Sequence, residues 1–75
     1  MFKRAPLYPN LEKELIANGI TRKEIAAEIG IKTTAFYYRT VGVKEFGINE
    51  ARIICAYIEK KSGKPMTLKY LFNFG

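Results

Sequence analysis

Seventy-five residues make one small domain, and a hydrophobic share of 48% suits a marginal core rather than a chain disordered throughout. No apolar run approaches the roughly 20 residues of a membrane span, and MFKRAPLYPN has no apolar stretch long enough for a secretory signal, so a cytosolic location is expected. The chain has no His, Asp, Trp or Gln, one serine (Ser62) and one cysteine (Cys55), which excludes ordinary triads, an internal disulfide and four-thiolate metal sites.

The predicted elements form an all-α, compact bundle of about five short helices. Residues 1–10 are expected to be an extended arm, because Pro6 and Pro9 disfavour helix at the residues before them. Asn10 is the expected cap of a first helix over about 11–18, with Leu11, Leu15 and Ile16 inward and Gly19 closing it. Thr21 and Glu24 have the spacing of a capping box for the second helix, which turns Ile25, Ala26 and Ile29 inward and Arg22, Lys23 and Glu28 outward. Gly30 interrupts the pattern, and a third helix runs to about Val41 with Ile31, Ala35 and Phe36 on the core side.

Gly42 and Gly47 bracket a loop in which Phe46 is expected to plug the core. A fourth helix over about 48–61 shows the stripe Ile48, Ala51, Ile54 or Cys55, and Ile58, with Ile53 and Tyr57 as a second stripe. Cys55 reads as a small core residue. Ser62, Gly63 and Pro65 end that helix, and Thr67 opens a short last one, TLKYLF. Residues 11–75 thus form a single domain. The second stripe and the tail Tyr70, Leu71, Phe72 and Phe74 carry more apolar surface than so small a bundle easily buries. They fold back as core or pair two copies into a homodimer.

Charge is unevenly placed. Thirteen Lys and Arg against seven Glu give +6, and the excess collects at Lys3 and Arg4, at Lys32, Arg39 and Lys44, and at Lys60, Lys61, Lys64 and Lys69. Such a footprint favours a polyanion partner with salt-dependent affinity. The glutamates fall at solvent-facing positions of the expected helices, so enzyme activity is not expected, and no cofactor is indicated.

Residues 21–42, TRKEIAAEIGIKTTAFYYRTVG, carry the most information. Ala26, a small residue four before Gly30, permits a close helix crossing, and a short glycine turn joins the two helices as in a helix-turn-helix. The second of them lacks acidic residues and carries side chains suited to a DNA groove.

With the elements laid out, the chain over about residues 11–72 resembles the Cro and phage-repressor type of helix-turn-helix domain. The strongest parts are TRKEIAAEIGIKTTAF and VKEFGINEARIICAYI, the latter similar to the loop and fourth helix of small prophage regulators. The resemblance implies a third helix in the major groove of double-stranded DNA, a repressor-like role in transcription, and dimers on operators. It carries base contact over to Lys32, Thr33, Thr34, Tyr37 and Tyr38.

The residues support that placement. If Ala35 and Phe36 point inward, Thr33, Thr34, Tyr37 and Tyr38 lie on or beside the outward face. Threonine reaches base edges, a thymine methyl or phosphate, although threonines opening a helix also serve as caps. Two adjacent tyrosines cannot both be core. Tyr38 is assigned to the groove and Tyr37 to sugar–phosphate or to partial burial. Lys32, where the family often has a small polar residue, reads as a phosphate contact, as does Lys44 in the loop. Arg39 either touches phosphate or pairs with Glu45 or another carboxylate of the domain. Lys3 and Arg4 form an arm or a solvated terminus. Thr40 stands where leucine is common in that family, and the reading helix has no Asn or Gln for adenine readout. The alternative function is a protein–protein interaction module that binds another regulator, to which exposed tyrosines are equally suited.

Overall fold

The computed structural model describes residues 7–72, arranged as α1 (Pro9–Ala17), α2 (Arg22–Glu28), α3 (Thr33–Thr40), α4 (Ile48–Ser62) and α5 (Leu68–Phe72). Among these residues there is no strand, and no helix is long and apolar enough to cross a membrane. Helices α2 and α3 pack on each other through a four-residue connection, α4 lies against α2, and α5 closes over α1 and α4.

The core follows the 3.6-residue period of each element. Leu11 and Leu15 from α1, Ile25 and Ala26 from α2, and Phe36 from α3 meet Ala51, Ile54, Cys55 and Ile58 from α4 and Leu71 and Phe72 from α5. Phe46 enters from the α3–α4 loop, as its position between two glycines predicts. Its ring lies edge-on to Tyr8, Phe36 and Phe72 at centroid distances of 5.5, 5.7 and 5.1 Å, a geometry favoured by the ring quadrupole.

Several expectations need correction. Pro9 is the first residue of α1, where its missing amide hydrogen costs nothing, so the extended arm does not reach residue 10. Leu7 is already tied down, its amide donating to the Thr40 carbonyl at 2.9 Å. Lys3 and Arg4 lie outside the described residues. Asn10 does not cap α1; its amide group donates to the Tyr70 carbonyl and fastens α5. Ile16 is 79% exposed, because one step of about 100° beyond the buried Leu15 carries it out of the core. Ile48, at the first turn of α4, is 50% exposed for want of a facing element.

The capping box at α2 is half formed. The Glu24 amide donates to Thr21 Oγ1 at 3.0 Å, but the Glu24 carboxylate accepts the Tyr57 hydroxyl and sits 3.6 Å from Lys61 Nζ. The glutamates are therefore not simply solvated. Glu12 pairs with Arg22, Glu14 accepts the Tyr70 hydroxyl, and Glu59 accepts the Met66 amide. The tail is largely core: Leu71 and Phe72 are buried, leaving Ile53 and Tyr70 partly exposed, while Phe74 lies outside the described residues.

The corrected phase of α1 is directly testable. Leu15→Ala is expected to lower the unfolding free energy by about 2–5 kcal/mol, whereas Ile16→Ala stays within about 0.5 kcal/mol; urea denaturation of the two variants separates them. A second test uses the Glu24–Tyr57 contact, which pushes the Tyr57 hydroxyl up to about 12 from 10, with burial adding to the effect. A raised folded value stabilises fully below pH 10 and is lost as pH rises through 12. Thermal unfolding from pH 9 to 12 is expected to decline less steeply in Tyr57→Phe than in the natural protein, Tyr70 being common to both.

Candidate nucleic-acid interface

The α2–α3 connection sets the site. Gly30 adopts φ +75°, a left-handed conformation, and the amides of Gly30 and Ile31 donate to the carbonyls of Ala27 and Ala26 at 3.2 and 3.0 Å. This double closure ends α2 and turns the chain sharply. A Cβ at Gly30 would meet open space, so the backbone conformation alone calls for glycine. Ile31 then packs against the core, and Lys32, extended at φ −74° and ψ 155°, begins α3.

Eight residues form α3, and Ala35, expected on the core side, is only half-buried and borders open surface, because one step of about 100° from Phe36 turns it away from the core. Phe36 and Thr40 are buried, while Thr33, Thr34, Tyr37 and Tyr38 are exposed. Thr40 tolerates burial because its hydroxyl donates to the Tyr37 carbonyl at 2.7 Å, so a polar residue is buried without an unsatisfied group. The N-cap is Lys32 and makes no side-chain cap, which removes the capping role for Thr33 and Thr34. Both tyrosines are open to solvent, Tyr37 at 39% and Tyr38 at 49%, with ring centroids 6.0 Å apart.

Arg39 takes the intramolecular one of its two readings, with a different carboxylate. Its Nε donates to Glu50 Oε1 at 3.0 Å, and a terminal nitrogen donates to the Ala35 carbonyl at 3.2 Å. The same Glu50 oxygen accepts the Gly47 amide at 3.1 Å, so one carboxylate caps α4 and clasps α3. Glu50 was not singled out from the sequence. Its signal was the Gly47–Glu50 spacing, three residues apart at the start of a helix.

Lys44 is exposed beside α3. The amides of Val43 and Lys44 both donate to the Tyr38 carbonyl, at 2.9 and 3.4 Å, and hold the loop against the end of the helix. Gly42, at φ +87°, makes this turn. A Cβ there would come 2.6 Å from Leu7 Cδ1, so glycine also admits the N-terminal segment.

A shallow groove of about 280 Å³ results, lined by Thr34, Ala35, Tyr38, Arg39 and Lys44. The fold thus brings four expected site residues, Thr34, Tyr38, Arg39 and Lys44, to one concavity. Lys32, Thr33 and Tyr37 do not line it. Neither Lys32 nor Lys44 is paired with a carboxylate among the described residues. No cluster of metal-ligating side chains occurs there either. Comparison with protein-family models, curated proteins and solved structures finds no match to this chain.

The clasp should be measurable as stability. Glu50→Ala removes a charged hydrogen-bond pair and a helix cap together, and is expected to lower the unfolding free energy by about 1–3 kcal/mol. A double-mutant cycle with Arg39→Ala isolates the pair from the cap. A coupling near zero would show that Arg39 does not depend on Glu50.

Proposed function

We propose that the chain is a DNA-binding transcriptional regulator of the Cro and phage-repressor type, with α3 entering the major groove of double-stranded DNA. The observation that carries this reading is the division of α3. One side is anchored by Phe36 and Thr40, while the other exposes hydroxyls and aromatic rings beside two unpaired lysines. No carboxylate belongs to that helix. A short helix of this kind is held by its neighbours and offers its outer side chains to a partner.

Charge favours nucleic acid over another regulator as that partner. Arg22, Arg39 and Lys61 are spent on internal carboxylates, whereas Lys32 and Lys44 flank the exposed face and are free to displace counterions from phosphate. Direct readout falls to Thr33, Thr34 and Tyr38, with Tyr37 on sugar–phosphate. Arg39 serves to position the helix. The same reading has two copies on an inverted repeat, with recognition helices about 34 Å apart; Leu71 and Phe72 are used in the core, so pairing would draw on other surface.

Binding to a duplex selected from random sequence tests the reading. Log affinity is expected to fall linearly with log salt, and Lys32→Ala and Lys44→Ala each to flatten the slope by about one unit while weakening all sequences alike. Tyr38→Ala is expected to reduce discrimination between selected and random duplex by about 1–3 kcal/mol with the fold intact. Absence of duplex binding at low salt would overturn the proposal.

A further inference from the structure

The groove beside α3 limits which base can be read there. Guanine is read by paired donors from Arg or Lys, and adenine by the side-chain amide of Asn or Gln. Helix α3 has no Asn or Gln, its arginine is held by Glu50 and the Ala35 carbonyl, and Lys44, a single ammonium assigned above to phosphate, presents no paired donors to guanine. What remains in the concavity for a base edge is the small apolar Ala35, the Tyr38 side chain and the Thr34 side chain. Apart from the backbone, this is two hydroxyls, each able to donate or accept, beside apolar surface, with no carboxylate.

Thymine is the base that matches. In the major groove it presents an acceptor, O4, and a methyl group, whereas cytosine presents an amino donor and no methyl. We infer that the groove formed by Thr34, Ala35, Tyr38 and Lys44 reads the edge of a thymine, its methyl group seated against Ala35 and Tyr38. This rests on the duplex-binding reading above. O4 accepts from the Thr34 or Tyr38 hydroxyl, while cytosine, which has no methyl group, leaves the apolar seat beside Ala35 and Tyr38 empty. The groove is open and shallow, so a base edge enters it without leaving the stack.

Replacing thymine by deoxyuridine removes the methyl group and keeps base pairing, which makes a direct test. The probe is a duplex of about 20 base pairs selected from random sequence, made with thymine or with deoxyuridine and titrated by fluorescence anisotropy. The natural protein is expected to bind the deoxyuridine duplex about fourfold more weakly for each methyl buried. Tyr38→Ala should bind both duplexes alike, and Lys44→Ala should weaken both while preserving their ratio. Ala35→Ser serves as a second groove variant, and circular dichroism checks that each variant folds.

Equal affinity of the natural protein for both duplexes, with sequence preference retained, would overturn the thymine assignment and leave the duplex reading standing. A thymine preference that survives Tyr38→Ala and Ala35→Ser would place methyl recognition elsewhere and overturn the assignment too. Failure to bind any duplex would remove both proposals.

Discussion

The packing of Phe46 holds the rest of the molecule in register. It comes from a loop, yet its ring touches Phe36 of α3, Tyr8 before α1 and Phe72 of α5. Tyr8 and Phe72 also meet each other, at 5.6 Å, so four aromatic rings join both ends of the described chain to its middle. A domain of this size has few large side chains to bury, and each aromatic removes a large share of apolar surface from water. Without Phe46 the α3–α4 loop has no anchor in the core, and the ring of Phe36 loses its neighbour.

Carboxylates supply the second set of constraints. Glu12, Glu14, Glu24 and Glu50 reach across to another helix, accepting from Arg22, Tyr70, Tyr57 and Arg39, Glu50 also caps its own helix at Gly47, and Glu59 accepts from Met66 in the α4–α5 connection. Hydrogen bonds to charged groups contribute more than neutral ones, and these connect helices too short to be stable alone. Their arrangement also shapes the surface potential. Glu12, Glu24 and Glu50 pair with Arg22, Lys61 and Arg39, while Lys32 and Lys44 have no ion pair among the described residues.

Helix α3 shows how these constraints serve the site. It has eight residues, its N-cap makes no side-chain bond, and two of its side chains are buried. Its position therefore comes from outside: from Phe46 under Phe36, from Glu50 through Arg39, and from the Leu7 amide on the Thr40 carbonyl. With its stability supplied this way, the helix can expose two tyrosines and two threonines.

Local rules were enough to reveal the five helices, the glycine turns, the buried Ile25, Ala26 and Phe36 and the inward Phe46, because periodicity and backbone conformation are written in neighbouring residues. The exposure of Thr33, Thr34, Tyr37 and Tyr38 follows from the same period once Phe36 is placed inside. Tertiary packing decided the rest. Whether Ile16 or Ile48 is buried depends on which element stands opposite, and nothing within the turn that holds them records this. Asn10 and the Glu24 carboxylate were expected as local caps, and Arg39 had Glu45 or another carboxylate open to it; the partners that folding brings near are Tyr70, Tyr57 and Glu50, at separations of 60, 33 and 11 residues. A polar side chain has several acceptors or donors within reach along the chain. Which one it uses is set by the distances that the packed core imposes.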